Sequence, residues 1–449
     1  MKEILADASA RAIRYLQDIQ TRAVAPAPAA IAALRRLDEP LPAGPGDPAE
    51  TLRLLDEAGS PATMGMAGPR FFGFVIGGAL PVTLAANWLA GAWDQNSALY
   101  RATPGTAHLE QVALRWLLDV LRLPAGCGGA FVTGATVANL CALAAARHAV
   151  LKRAGWNVEA QGLFGAPPVT VVVSAEAHPS VTKSLGVLGL GRSRVTQVPV
   201  DNQGRMRVDR LPALAGPTIV CVQAGNVNTG AFDPIGEICR AAHAAGAWVH
   251  VDGAFGLWAV TAPSRAHLAA GMADADSWAT DAHKWLNVPY DCGLGFVRDA
   301  HALEAAMAIT AEYLPTQTEQ RNPGDFTPEL SRRARGVEVW AALRTLGRAG
   351  VAEMIERNCA QARRFADKLA AAGFEILNDV VLNQVLVSFG DAERTKRVIQ
   401  CIQDEGTCWA GVTVWQGRTA MRISVSSWAT TEADVDRSVA AMIQVATRA

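Results

Sequence analysis

The feature that most constrains the fold of this chain is a series of short, uninterrupted apolar runs that alternate with helical stretches from about Gly128. The runs read GAFVT, VTVVVSA (169–175), TIVCVQA (218–224), AWVHVDG (247–253), the segment 277–280 and CGLGFV (292–297). Strands buried on both faces have this continuous pattern, and their alternation with helices is typical of a parallel sheet covered on both sides. The sequence therefore predicts an α/β domain with a large, mostly parallel sheet.

The pattern changes on either side of this domain. After Val351 a long helix, short strands and two further helices follow each other, which predicts a smaller α+β domain. We therefore predict an N-terminal helical segment over 1–65, a large domain over 66–345 and a small C-terminal domain over 346–449. Within the large domain, the polar and turn-rich stretch 315–328 (PTQTEQRNPGDFTP) predicts a mobile loop.

Charge and cysteine content exclude several classes of protein. Forty-one Lys and Arg residues balance 42 Asp and Glu residues, so the chain offers no long-range attraction to nucleic acid or to a membrane surface. The uncharged stretch 71–93 is interrupted by glycines and by Pro81, which favours a buried cleft wall over a membrane span. Eight cysteines without a C-x-x-C pair predict reduced thiols and no metal site. With a helical N-terminus, these features predict a cytoplasmic protein.

The segment TDAHKWLNVPYDCG contains the most informative residue, Lys284. It lies between a predicted strand and an apolar continuation, although lysine is among the residues that are least often buried. Burial favours a neutral amine, which is the form that Schiff-base chemistry with an aldehyde requires. Taken alone, such a lysine would more often keep its charged end in solvent.

A strand-end carboxylate strengthens this interpretation. Asp252 in HVDGAFG ends an apolar strand, at the edge where parallel sheets collect their ligands. A buried carboxylate needs a cation, and a protonated pyridine nitrogen is one. An aspartate of this kind together with a Schiff-base lysine is typical of pyridoxal 5'-phosphate (PLP) chemistry. The alternative is that Asp252 caps the next helix.

Two further segments supply candidate cofactor contacts. His178 follows the strand 169–175 and could stack on a flat ring, although a lone histidine is more often a loop or core residue with ordinary partners. The turn at Gly134, Ala135 and Thr136 precedes an Ala/Leu-rich helix, and its amides could bind a phosphate at the positive end of that helix. Most turns of this kind bind nothing, so the turn alone is weak support.

In their order along the chain, these segments resemble the PLP-dependent decarboxylases that include the aromatic-L-amino-acid, histidine and glutamate decarboxylases. The similarity runs from GPRFFGF, at Gly68, to RISVSSW near the C-terminus, and the H-K-W motif followed by DCG is its most specific part. The resemblance implies the fold type I architecture, with a large mostly parallel α/β domain and a smaller C-terminal α+β domain. It also implies PLP as cofactor and a homodimer with shared active sites.

The resemblance also implies roles for individual residues. Lys284 would form the Schiff base with PLP, and Asp252 would keep the pyridine nitrogen protonated. His178 would stack on one face of the ring and Ala254 would pack against the other.

The remaining cofactor contacts follow from the same resemblance. His283, Ala135 and Thr136 would hold the phosphate. Asn226 aligns with a family threonine near the cofactor, so its role is less secure.

The leading prediction for the substrate is an aromatic or bulky apolar L-amino acid, which would lose CO2 through a quinonoid. The aromatic residues around 71–100 suit ring packing, and Phe74, Tyr100 and Phe326 are the candidate substrate contacts. Arg422 matches an arginine that meets a substrate carboxylate in glutamate-type members. With Arg101 it supports the alternative of a glutamate or aspartate decarboxylase, while its other interpretation is a structural ion pair.

Two further alternatives concern the product and the class of protein. Phe326 stands where a proton-donating tyrosine is expected on the loop, which leaves open protonation by His178 or reaction with O2 to an aldehyde, ammonia and peroxide. Aminotransferase or carbon–carbon lyase activity also remains possible. A cofactor-free regulatory homologue is a different class, and the intact Lys284, Asp252 and His178 argue against it.

Overall fold

The computed structural model describes residues 1–309 and 320–448, which divide into two compact units. The smaller unit comprises 1–78, 361–377 and 385–449, and the larger comprises 79–360 and 378–384. The N-terminal segment therefore groups with C-terminal residues, whereas the sequence pattern suggested three consecutive parts. Within the described ranges, no helix combines the length and the hydropathy that crossing a bilayer requires.

A seven-stranded sheet forms the centre of the larger unit, in the order β1-β7-β6-β5-β4-β2-β3. Its strands are β1 (Gly128–Val132), β2 (Thr170–Ser174), β3 (Thr196–Val198), β4 (Thr218–Gln223), β5 (Trp248–Asp252), β6 (Ser277–Asp281) and β7 (Gly293–Val297). Strands β2 to β6 pair with one another in parallel, and β7 pairs antiparallel with both β1 and β6. The predicted α/β class is confirmed.

Helices surround this sheet because its strands are apolar on both faces. They are α4 (Pro81–Trp93), α5 (Pro104–Val120), α6 (Ala135–Arg153), α7 (Val158–Gln161), α8 (Pro179–Val187), α9 (Ile235–Ala244), α10 (Ala300–Met307) and α11 (Gly336–Ala371). Helix α6 lies against the sheet, and most of its length is buried. Helix α11 is interrupted at Gly347, close to the predicted domain boundary at 345, and continues into the smaller unit.

The smaller unit has a four-stranded antiparallel sheet in the order β10-β11-β9-β8. Its strands are β8 (Glu375–Ile376), β9 (Gln384–Ser388), β10 (Gly411–Trp415) and β11 (Arg418–Ser424). Its helices are α1 (Lys2–Asp18), α2 (Pro28–Ala33), α3 (Pro48–Leu54), α12 (Ala392–Glu405) and α13 (Glu432–Arg448). The α+β pattern predicted after Val351 is therefore present.

The predicted mobile loop 315–328 is only partly described. Residues 315–319 and Tyr313 lie outside the described residues, while 323–326 form a short 3-10 helix. Arg321 forms an ion pair with the buried Glu110 at 3.0 Å, and the amide of Gly324 donates to the carbonyl of Ala98 at 2.8 Å. These contacts hold the C-terminal part of the stretch, while the mobility of the loop stays a prediction.

Candidate active site

The carboxyl ends of the parallel strands bring the predicted residues to one edge of the sheet. Asp252 ends β5 and Asp281 ends the adjacent β6. Gly293, at the start of β7, pairs with both Val132 and Asp281. A Cβ atom on Gly293 would lie 2.4 Å from Cα of Gly134, so only glycine lets the turn before α6 approach this closely. The predicted phosphate turn therefore lies beside Asp281.

Lys284 lies in the turn that follows β6, and its side chain is 21% exposed. Its Nζ is 2.9 Å from Oδ2 of Asp281, whose side chain is only 3% exposed. Oδ1 of the same carboxylate accepts the amide of Ala135, the first residue of α6, at 2.6 Å. The expectation of an apolar setting for Lys284 is therefore wrong in one respect, because the amine has an acidic partner three residues away.

His283 precedes this lysine and is held in one orientation. Its Nδ1 accepts the amide of Cys292 at 3.1 Å, so the proton of the neutral ring lies on Nε2, 3.4 Å from Oδ1 of Asp281. Burial lowers the pKa of His283 against the opposing effect of the Asp281 charge, and the charge of Lys284 lowers it further. The ring of Tyr290 stacks on the imidazole with a centroid distance of 4.2 Å.

Asp252 is buried and its two carboxylate oxygens have different surroundings. Oδ2 accepts from Nδ2 of Asn139 at 3.3 Å and from Oγ of Ser180 at 3.4 Å. Oδ1 is buried and has no hydrogen-bond partner among residues 1–309 and 320–448. A buried carboxylate oxygen without a donor is costly, so this atom is suited to a donor from a ligand. The alternative that Asp252 caps a helix finds no support in these contacts.

A buried chain of hydrogen bonds continues from Asn139. Oδ1 of Asn139 accepts from Nε2 of His250 at 2.8 Å, and Nδ1 of His250 lies 2.9 Å from Oγ of Ser277. Ser277 also accepts from the indole of Trp248. Burial lowers the pKa of His250 to about 3, so the ring is neutral. The amide of Asn139 is thereby fixed with its NH2 group towards Asp252.

His178 directly precedes α8 and acts as its N-cap. Its Nδ1 accepts the amide of Ser180 at 3.2 Å and lies 2.8 Å from Oγ of the same serine. Because Ser180 also contacts Asp252, the histidine and the aspartate share one partner. The histidine is thus connected to Asp252 through Ser180, and its place beside a cofactor ring stays a prediction.

The remaining predicted cofactor residues lie in the loops at this edge. Asn226 follows β4, and its Oδ1 accepts the amides of Asn228 and Thr229, while its buried Nδ2 has no partner in the described part of the chain. The carbonyl of Ala254 accepts the amide of Asp281. The carbonyl of Thr136 accepts from Ser184, which ties the first turn of α6 to α8.

The four predicted substrate contacts have different surroundings in the structure. Phe74 and Arg422 belong to the smaller unit, so their assignment stays a prediction. Tyr100 is half-buried, and its amide donates to Asn322. The ring of Phe326 lies 4.3 Å from the guanidinium of Arg321 and packs against the hydrophobic core of the larger unit. These contacts are structural, and the assignment of Phe326 as a substrate contact stays a prediction.

The residues present fit PLP. The buried oxygen of Asp252 needs a donor such as a protonated pyridine nitrogen, and the buried Nδ2 of Asn226 needs an acceptor such as a phenolic oxygen. Lys284 supplies an amine beside them, and the N-terminus of α6 supplies amides for a phosphate. This fold and these residues define a PLP-dependent enzyme with a lysine at the carboxyl edge of a mostly parallel sheet.

Comparisons with known proteins define the family. The pyridoxal-dependent decarboxylase conserved domain matches residues 60–390. The chain is 28% identical to tryptophan decarboxylase 1 of Oryza sativa subsp. japonica over 417 residues, covering 84% of this chain and 80% of the relative. It is 30% identical to an acidic amino acid decarboxylase of Mus musculus over 323 residues, covering 69% and 58%.

A solved structure of tryptophan decarboxylase from Oryza sativa, with PLP and tryptamine, superposes with a TM-score of 0.91 at 24% identity, covering 100% of this chain and 97% of that one. At this identity the superposition shows the shared fold. The chain belongs to the pyridoxal-dependent decarboxylase family. It is a carboxy-lyase that uses PLP to decarboxylate an amino acid.

Sequence reasoning missed several residues of the site. Asp281 ends an apolar strand just as Asp252 does, so the same strand-end argument could have found it. Asn139 and His250 carry no such local signal, because the bonds from Asn139 to Asp252 and to His250 join residues more than 100 positions apart. Tyr290 was visible as one of four tyrosines, but its stack on His283 depends on the turn between β6 and β7.

Proposed function

We propose that Lys284 binds PLP covalently and that this site decarboxylates an aromatic or bulky apolar L-amino acid. The observation that carries the proposal is that Oδ1 of Asp252 has no hydrogen-bond partner among the described residues. Asp252 ends β5, which pairs with β6, the strand that precedes Lys284. An acceptor for a pyridine N–H and an amine for an aldehyde are thus offered by adjacent strands. When bound, PLP supplies a ring that accepts the electrons left at Cα as CO2 departs.

The protein's own residues divide the remaining tasks. Asp252 would accept the hydrogen bond of a protonated pyridine nitrogen, because its buried Oδ1 has no donor among the described residues. His178, which is held by Ser180, would cover the ring and would also return a proton to Cα. Ala254 would pack on the opposite side, and Asn226 would donate to the phenolic oxygen.

The phosphate contacts lie at the start of α6. Ala135 and Thr136 offer amides at the positive end of the helix, and His283 offers the proton on Nε2. Together they would fix the phosphate end of the cofactor, so that the aldehyde reaches Lys284.

An aromatic substrate is supported by the surroundings of Lys284. The ring of Tyr290 is stacked on His283, the residue next to Lys284, and 56% of this tyrosine is exposed. An exposed aromatic face beside the reactive lysine favours another ring over a charged side chain. Tyr100 stays a candidate contact of this substrate.

Borohydride reduction tests the covalent assignment. Reduction of the holoenzyme should attach the cofactor irreversibly to a peptide that contains Lys284, and Lys284→Ala should abolish the adduct. Lys183→Ala changes an exposed lysine on α8 and should leave it intact. An adduct that maps to Lys183 or Lys152 would overturn the assignment.

A panel of amino acids tests the substrate class. CO2, amine, aldehyde and peroxide are followed together, and tryptophan, tyrosine and phenylalanine should be turned over faster than glutamate and aspartate. Faster turnover of the acidic pair would establish the alternative. Aldehyde and peroxide in amounts comparable to amine would instead establish the oxidative alternative.

The acidic alternative has one specific observation in its favour. Arg422 is largely buried, burial lowers its pKa, and none of the described residues forms an ion pair with it. The alternative interpretation of Arg422, as part of a structural ion pair, finds no partner among the described residues. If the substrate is acidic, Arg422→Met should raise KM for glutamate and leave KM for tryptophan unchanged. Arg101 is exposed.

We also propose a homodimer and a cytoplasmic location. Helix α4 carries exposed apolar side chains at Val82, Trp88, Leu89 and Trp93, which a second copy would cover. Seven of the eight cysteines are buried, and burial raises the thiol pKa of Cys127 to about 11, which suits permanently reduced thiols.

A further inference from the structure

The carboxylate of Asp281 makes contacts that the cofactor itself needs. Its Oδ1 accepts the amide of Ala135, the first residue of α6, at 2.6 Å. Its Oδ2 forms the ion pair with Lys284 at 2.9 Å, and the side chain is 3% exposed. One buried group therefore occupies both the phosphate turn and the reactive amine.

Two charges, those of Asp281 and Lys284, oppose binding of the cofactor. A phosphate at the N-terminus of α6 would lie beside the Asp281 carboxylate, and two anions in a buried site repel each other. A protonated lysine cannot attack an aldehyde, because its nitrogen has no free electron pair. The neutral His283, 3.4 Å from Oδ1, cannot compensate the second anion.

We propose that Asp281 controls loading of the cofactor by giving up the amide of Ala135 and accepting the proton of Lys284. The proton leaves Nζ of Lys284, which becomes a neutral amine, and joins Oδ2 of Asp281, which becomes a neutral carboxylic acid. This single transfer prepares the nucleophile and removes the negative charge beside the phosphate. The proposal rests on the assignment of Lys284 and of the phosphate turn made above.

The effect of Asp281 on binding of the phosphate can be separated from its effect on the amine of Lys284. PLP and pyridoxal carry the same aldehyde, and only PLP carries the phosphate. Any effect of Asp281 on the amine therefore changes both dissociation constants, whereas competition for Ala135 changes only that of PLP. The measured quantity is the ratio of the dissociation constant of pyridoxal to that of PLP.

The experiment uses the full chain freed of cofactor, with binding followed by absorbance. Asp281→Asn should raise the ratio about tenfold or more, because a neutral asparagine oxygen binds the amide of Ala135 less strongly than the carboxylate does, and only PLP has to displace it. Asp276→Asn is the matched control, since Asp276 also accepts a backbone amide, that of Val249, but at the other end of β6. The control should leave the ratio unchanged.

A ratio within about twofold of the wild type in Asp281→Asn, or an equal rise in the control, would overturn the proposal. If Asp281→Asn does not fold, Asp281→Ser offers a shorter neutral acceptor for Ala135. The wild type alone gives a further test: inorganic phosphate should not raise the melting temperature of the cofactor-free protein, and a clear rise would contradict the occupied turn. Failure of the site assignment looks different, because the adducts of both aldehydes would then survive Lys284→Ala.

Discussion

Nδ2 of Asn139, in the second turn of α6, donates to Oδ2 of Asp252 at the end of β5, at 3.3 Å. The amide cannot turn over, because its oxygen is held by Nε2 of the neutral His250. The helix that carries the proposed phosphate turn therefore also orients the carboxylate that we propose as partner of the pyridine nitrogen. Both ends of the cofactor site depend on the position of α6 against the sheet.

Replacement of Asn139 by leucine should weaken catalysis without removing a group that contacts substrate. Asp252 and His250 would each lose a buried partner, which costs about 1–3 kcal/mol per group and predicts a fall in kcat of roughly 10- to 100-fold. The absorption maximum of the bound cofactor should shift as well. Asn358→Leu is the control, because this buried amide accepts from Trp285 and should affect stability but not the spectrum. An unchanged spectrum in Asn139→Leu would contradict an orienting role.

Asp252→Asn should retain cofactor and lose most activity. The asparagine keeps the shape of the side chain, but it has no negative charge to hold a proton on the pyridine nitrogen. We expect kcat to fall at least about 100-fold, or roughly 2.7 kcal/mol, while absorbance still reports bound PLP. Turnover close to that of the wild type would remove the argument that Asp252 supports the electron sink.

The stability of the protein should fall below about pH 6.5, in part because of His250. Its pKa is about 3 in the fold and about 6.5 in the unfolded chain, so between these values the unfolded chain binds a proton that the folded chain does not. Stability is fully present above pH 6.5 and is lost as the pH falls towards 3, by up to about 1.4 kcal/mol per pH unit.

Buried Asp233 acts with the opposite sign, because burial raises its pKa to about 6, and its contribution is lost as the pH rises from about 4 to 6. The melting temperature at pH 7.5 minus that at pH 5 should therefore be lower, and can become negative, in His250→Asn compared with the wild type. An equal difference in both proteins would mean that His250 does not titrate between the two states.

Association of two copies should depend on the exposed face of α4. Leu89→Arg places a charge among Val82, Trp88 and Trp93, and light scattering should then show a larger monomer fraction. Val187→Arg changes an isolated exposed residue on α8 and should leave the mass unchanged. A wild-type monomer with full activity would exclude a shared active site.

The sequence alone determined the features that depend on local pattern. Continuous apolar runs indicated six of the seven strands of the large sheet, and β3 was missed because it has three residues of which two are exposed. Lys284 and Asp252 were found because a lysine or an aspartate at the end of an apolar strand is unusual wherever it occurs. Strand direction then placed both at the same edge.

Tertiary structure decided which atoms of these residues have partners. Ala135 and Asp281 are 146 residues apart, and Asn139 and Asp252 are 113 apart, so no local pattern links them. The packing of α6 on the sheet creates these contacts, and it also decides that Oδ1 of Asp252 has no donor in the described chain while Lys284 has an acidic partner. A sequence pattern specifies which faces are buried, but hydrogen bonds in a buried site depend on distances of a few tenths of an ångström.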